Sequence, residues 1–269
     1  MQSIPLWPGE PPHARGDAAQ DRPTLDIYEP FGRTFADAAV LILPGGGYGG
    51  LSTQEGEGYA GLFQLWGFRS FVCNYRLGTH GYRHPAMLHD AARALRTVRA
   101  GAAGYGIDPH KIVVVGSSAG GHLAATLLTK WDQGQPGHAD PVERVSSRPD
   151  LGVLCYPVIT LGEGTHAGSR QNLLGDNPTP EQIAELSAER HVRGDTPPCF
   201  VWHTVEDLAV PVQNAFLFVQ ALHAASVPFE FHCYEHGEHG LGMKDGATWS
   251  ADCLRWLRRR LRAARTDED

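Results

Sequence analysis

Ile112-Val113-Val114-Val115 runs without a break into Gly116-Ser117-Ser118-Ala119-Gly120. Four consecutive β-branched residues suit a strand buried on both faces, as strands are in the middle of a parallel sheet. The stretch that follows, through Leu128, reads as a helix. A strand that turns this abruptly into a helix puts the central serine in strained backbone, and bulky neighbours would clash there. Parallel strands need helical crossovers, so this junction commits the chain to an α/β architecture.

The rest of the chain fits that commitment. Residues 40–43, 71–75, 151–156, 200–203 and 229–234 read as further strands. Residues 58–66, a stretch after Pro85, 212–225 and 248–263 read as helices. Leu88, Ala91, Leu95 and Val98 share one helical face, as do Trp249, Cys253, Trp256 and Leu257. Alternating strands and helices predict a mostly parallel central sheet with helices on both faces, and ligands at the carboxyl ends of its strands. Residues 157–190 are polar, contain Gly and Pro, and break the alternation, as a small cap or insertion would. A length of 269 residues suits a single domain over 1–269.

Composition removes several function classes. The formal net charge of -7 repels phosphate backbones and anionic lipid, so nucleic acid and membrane surfaces are not expected partners. Arg255, Arg258, Arg259 and Arg260 read as solvated cations near a helix C-terminus. No apolar run approaches the roughly 20 residues that span a bilayer. Residues 1–10 carry no basic segment followed by an apolar stretch, so the expectation is a cytoplasmic protein without a secretory signal. Cys73, Cys155, Cys199 and Cys233 sit in or beside strand-like runs, and Cys253 in a helix. Buried, reduced thiols are expected.

The chemistry-bearing residues follow from the junction. Ser118, centred between Gly116 and Gly120, is the candidate nucleophile; Ser117 is off register. Upstream, Leu43-Pro44-Gly45-Gly46-Gly47-Tyr48 ends the first clear strand. Acyl transfer needs N–H donors about 3 Å from the developing oxyanion, and residues without side chains let backbone approach that closely. The backbone N–H groups of Gly46, Gly47 and Ala119 are the candidates. A phosphate loop is excluded, because neither Gly-Lys-Ser/Thr nor G-x-G-x-x-G is present.

A serine hydroxyl needs a base, and the base needs an orienting acid. After the last strand come His236 and His239; His239, which enters the glycine-rich run His239-Gly240-Leu241-Gly242, is preferred. After the preceding strand come Glu206 and Asp207; Asp207, nearer the Val210-Pro211 anchor, is preferred. The order Ser, Asp, His is the α/β-hydrolase order. A metal site built from His232, Glu235, His236, Glu238 and His239 is the rival. Gly237 and Gly240 interrupt the helix that a zinc motif of this kind requires, so no metal and no cofactor are expected.

These residues resemble the acetyl xylan esterase-like branch of the α/β hydrolases. The likeness runs from Pro5-Leu6-Trp7-Pro8-Gly9 and Pro23-Thr24-Leu25, through the glycine run, Tyr75-Arg76-Leu77 and Gly116 to Leu123. It ends with Tyr156-Pro157-Val158, Glu206-Asp207 and Gly237-Glu238-His239-Gly240. Pro44 stands where lipase-like relatives usually carry histidine. The resemblance implies the α/β-hydrolase fold with a small cap. It supports Asp207 and His239, and implies a serine esterase acting on acetyl or other short acyl esters, such as acetylated sugars or xylo-oligosaccharides. Tyr48 and Trp202, near strand ends, are candidate substrate-wall residues. A peptidase or amidase on the same residues, or a non-catalytic binding protein with this fold, is the alternative. The sequence leaves the oligomeric state open.

Overall fold

A computed structural model describes residues 2–33, 35, 37–244 and 248–263. Residue 1 and residues 264–269, the ends of the expected single domain, lie outside the described residues. Eight strands form one sheet: β1 (Gln2–Pro5), β2 (Thr24–Tyr28), β3 (Ala39–Leu43), β4 (Arg69–Asn74), β5 (Ile112–Ser117), β6 (Leu151–Cys155), β7 (Cys199–Thr204) and β8 (Phe229–Tyr234). Their order is β1-β2-β4-β3-β5-β6-β7-β8. The β3 to β8 set is parallel throughout, and β2 pairs antiparallel with both β1 and β4.

The helices are α1 (Tyr59–Leu65), α2 (Ala86–Ala100), α3 (Ala102–Tyr105), α4 (Ser118–Thr129), α5 (Ala167–Leu174), α6 (Pro180–Glu185), α7 (Gln213–Ala224) and α8 (Trp249–Ala263). Successive residues of a strand face opposite sides of the sheet, so the run of valines in β5 feeds two cores. Val114 joins Leu41, Leu154 and Val201 against Ala91, Leu95 and Val98 of α2. Val113 and Val115 join Val40, Ile42 and Phe200 against Phe63 of α1 and Trp249, Trp256 and Leu257 of α8. With both faces covered, polar groups at the carboxyl ends of the central strands are what the sheet leaves for chemistry.

Two elements depart from the sequence expectation. β1 and β2 were not anticipated. β1 is an exposed edge strand, and β2 buries only Leu25 and Ile27 in a five-residue alternation. Residues 157–190, read as polar, hold α5 and α6 and are tied to the body through fully buried Val158, Ile159 and Leu161. Asn214 Oδ1 accepts the N–H groups of Ile159 and Thr160. Cys73, Cys155, Cys199 and Cys253 are buried free thiols. Cys233 corrects the expectation of uniform burial, because β8 is an edge strand and leaves it exposed. Among the described residues no helix is long and apolar enough to cross a membrane.

Candidate active site

β5 ends at Ser117 and α4 begins at Ser118, with no residue between them. Ser118 takes the whole turn, at φ 53°, a left-handed conformation that costs a non-glycine residue roughly 1–3 kcal/mol. The flanking glycines make the turn possible. A Cβ at Gly116 would meet the carbonyl oxygen of Gly120, and one at Gly120 would meet those of Leu43 and Pro44. Ser117 caps α4 with no side-chain hydrogen bond, so the first N–H groups of the helix, Ala119 among them, stay available beside the serine.

Asp207 and His239 come to this point from the loops after β7 and β8. Ser118 Oγ lies 2.8 Å from His239 Nε2, and His239 Nδ1 lies 2.6 Å from Asp207 Oδ2. A carboxylate only accepts, so in the neutral ring the proton sits on Nδ1 and Nε2 is left to accept from the serine. Asp207 Oδ1 accepts the N–H groups of Ala209 (3.0 Å) and Val210 (2.9 Å). Burial pushes the Asp207 carboxyl up, but the hydrogen bonds from His239 and Val210 and the imidazole charge outweigh it. The carboxyl is held below its ordinary value. The Asp207 side chain is enclosed, while that of His239 is 24% exposed.

The residues that competed for these roles lie elsewhere. Ser117 Oγ points to the Tyr59 hydroxyl, 3.3 Å away. His236 and Glu206 form an exposed pair at 2.9 Å. His232 pairs with Glu230 and Asp252. The dense His/Glu cluster is thus dispersed among separate carboxylates.

The glycine run lies against the elbow. Gly46, Gly47 and Tyr48 all have positive φ, at 126°, 65° and 57°. At Gly46 a Cβ would also strike the Gly50 carbonyl. Among the described residues the N–H groups of Gly46 and Gly47 donate no hydrogen bond, while neighbouring groups tie the loop to its surroundings. Glu55 Oε2 accepts Gly45 N–H (2.8 Å), and Asn172 Nδ2 of α5 donates to the Gly47 carbonyl (2.9 Å).

The BD-FAE family model matches residues 25–222. The chain belongs to the BD-FAE family. The match includes Ser118 and Asp207 and ends before His239. The chain is 42% identical over 207 residues to endo-1,4-beta-xylanase B of Butyrivibrio fibrisolvens, covering 75% of this chain and 32% of that protein. It is 34% identical over 217 residues to an acetylxylan esterase of Xylanibacter ruminicola, covering 78% of this chain and 42% of that one. The chain therefore spans less than half the length of either relative. A solved structure, the acetyl ester-xyloside bifunctional hydrolase from Caldicellulosiruptor lactoaceticus, superposes with a TM-score of 0.90 at 42% identity. It covers 96% of both chains. The fold is that of the α/β hydrolases.

In this BD-FAE chain Tyr48 and Trp202 are not wall residues; both are fully buried. Tyr48 donates from its hydroxyl to His122 Nδ1 (2.7 Å), since His122 Nε2–H is committed to the Leu186 carbonyl (2.7 Å). Trp202 stacks on Trp249 at 5.2 Å and meets Tyr156 edge-on at 4.9 Å. Strand-end position indicated nearness to the site but not which way the rings turn.

Sequence reading gave no site role to Tyr156, named only in the family likeness, or to His166. Tyr156, at φ 34°, sets its ring edge-on to His239 at 5.2 Å. His166 caps α5: its Nδ1 accepts Ser169 N–H (3.2 Å) and lies 2.8 Å from Ser169 Oγ. It overhangs the glycine run, where a Cβ on Gly47 would be 3.7 Å from its Cε1. Burial, then the charge of nearby His239, holds its imidazole below the ordinary value. The spacing His166-x-x-Ser169 was the available signal. An open cleft of about 540 Å³, lined by Trp7, Arg96, Asp132 and Glu143 among others, contains none of these residues.

Proposed function

We propose that the chain is a serine carboxylic ester hydrolase, cofactor-free, acting on acetyl or similarly short esters, with acetylated sugars or xylo-oligosaccharides as its substrate class. One observation carries this reading: the hydrogen-bonded line from Asp207 through His239 to a serine held in left-handed backbone. The names of the Xylanibacter and Caldicellulosiruptor proteins support the choice of acyl group and alcohol.

In this reading Ser118 Oγ attacks the ester carbonyl carbon while its proton passes to His239 Nε2. Asp207 holds the ring in the tautomer that can take it and stabilises the imidazolium. The N–H groups of Gly46, Gly47 and Ala119 receive the oxyanion. Each such donor typically lowers the barrier by about 3 kcal/mol. Nε2–H then protonates the leaving alcohol, and water, deprotonated by the same nitrogen, hydrolyses the acyl-enzyme and regenerates Ser118. We read the chain as one catalytic domain, with residues 157–190 as a small cap that leaves an open site.

The test is Ser118→Ala assayed on p-nitrophenyl acetate and on acetylated xylo-oligosaccharides. The variant should fold and lose turnover of both. Wild-type rates in the variant would refute the assignment. A native chain that cleaves aminoacyl amides faster than acetyl esters would favour a peptidase, and failure of a fluorophosphonate to label Ser118 would favour a non-catalytic binding protein.

A further inference from the structure

Glu55 is 5% exposed, and among the described residues no cation pairs with it. An acid buried without a basic partner is costly unless hydrogen bonds satisfy it. Here each carboxyl oxygen serves a different part of the site. Oε2 accepts the N–H of Gly45, the residue before the two glycine donors, at 2.8 Å. Oε1 accepts the hydroxyl of Tyr156, whose ring meets His239 edge-on, at 2.7 Å. We propose that Glu55 is a positioning residue that fixes the distance between the oxyanion donors and the catalytic imidazole. The proposal rests on the esterase reading above.

Three features indicate that the arrangement serves the site rather than general stability. Gly45 has no room for a side chain between Glu55 and the elbow, because a Cβ there would run into Glu55 Oε2, meet the Ser117 carbonyl oxygen at 2.8 Å and lie 3.0 Å from Ser118 Cβ. Glu55 is carried on a single π-helical turn, Gln54–Gly58, and such turns are rare and concentrate at functional sites. The residue before it, Gln54, reaches the loop that bears the base, with Nε2 3.5 Å from the Leu241 carbonyl. The turn therefore touches the donor loop, the aromatic neighbour of the base and the base's own loop. Ser52 N–H to the Gly45 carbonyl (2.9 Å) closes the turn onto the donor loop.

Such a link acts on the transition state and not on ground-state binding. Displacing a donor or a base by a fraction of an ångström weakens contacts that form fully only as the oxyanion develops. Glu55→Ala cuts both arms and should lower kcat about tenfold to a hundredfold, with KM changed less than about threefold. Glu55→Gln can keep both arms, its amide oxygen accepting Gly45 N–H and its amide N–H donating to the Tyr156 hydroxyl. It should recover most of the loss. Tyr156→Phe cuts one arm and should lower kcat less than Glu55→Ala, and the double variant should be no worse than Glu55→Ala alone.

The experiment measures kcat and KM on p-nitrophenyl acetate per serine titrated with a fluorophosphonate. In parallel it measures inhibition by a methyl trifluoromethyl ketone, which forms a tetrahedral oxyanion on Ser118. The expected result is that ketone affinity falls in step with kcat across the variants. A role in folding alone would lower the titratable fraction and the melting temperature and leave kcat per titrated site and ketone affinity unchanged; that result would overturn the proposal. If Glu55→Ala does not fold, Glu55→Gln and Tyr156→Phe still decide it: wild-type kcat and ketone affinity in Tyr156→Phe would overturn it as well. Loss of the esterase reading would show separately, as turnover that survives Ser118→Ala.

Discussion

Replacing Asp207 by asparagine tests how the imidazole is oriented with almost no change in shape. Oδ1 accepts two backbone N–H groups, from Ala209 and Val210, and Oδ2 accepts His239 Nδ1–H at 2.6 Å. The backbone donors cannot rotate away, so the amide oxygen of the asparagine has to stay on their side. Its nitrogen then faces His239 Nδ1 and donates to it. Nδ1 must accept, the ring proton moves to Nε2, and Nε2 can no longer take the proton of Ser118. In Ser-His-Asp sites this fault lowers kcat about 10⁴-fold. At 1.36 kcal/mol per factor of ten that is roughly 5 kcal/mol of barrier. The assay is kcat on p-nitrophenyl acetate at pH 7 per correctly folded molecule, with circular dichroism as the control. A folded Asp207→Asn protein within tenfold of wild type would refute the reasoning, since the ring would then reach its working tautomer without this carboxylate.

Two further outcomes follow from the surroundings. Burial pushes the His122 imidazole down to about 4 from 6.5, so unfolding takes up a proton between those values. Its contribution to stability is fully present above pH 6.5 and is lost as pH falls toward 4. A shift of about 2.5 pH units at 1.36 kcal/mol each gives about 3 kcal/mol. Urea unfolding of the native chain and of His122→Gln at pH 7 and pH 4.5 should show a shallower loss in the variant; equal losses would remove His122 from the account. Glu206→Gln should leave kcat within about threefold, because an exposed ion pair contributes little; a loss matching Asp207→Asn would move the acid role to Glu206.

The parallel core was legible because burial on both faces leaves unbroken apolar runs, and residues 112–115 are the strongest of them. β2 was not legible because its pattern alternates over only five residues. Glu55 was hidden for a different reason. Gln54-Glu55-Gly56-Glu57-Gly58 has the composition of a solvated loop, and only the tertiary approach of Gly45 and Tyr156 turns one of its two acids inward. The same limit misled the reading of Tyr48 and Trp202. Position along a strand is written in the sequence, but the direction in which a ring leaves the chain depends on partners such as His122 and Trp249, distant in sequence.

His236 and His239 show how a choice that sequence leaves open is made in space. They stand three residues apart on one loop, and each is followed by glycine. The first half of the loop is fastened to the end of β7. Thr204 Oγ1 donates to the Gly237 carbonyl at 2.8 Å, Glu206 Oε2 accepts Gly237 N–H at 3.1 Å, and Glu206 Oε1 holds His236 on the surface. Gly237 meets this with φ 137°, where a Cβ would crowd Thr204 Cγ2 at 2.9 Å. With that half pinned outward, the next imidazole along the loop reaches the enclosed Asp207. The surface acid and surface histidine that compete for the catalytic roles in the sequence thus become the clamp that brings the inner pair together. The clamp survives Glu206→Gln, because an amide oxygen can still accept Gly237 N–H and the Thr204 hydroxyl is untouched.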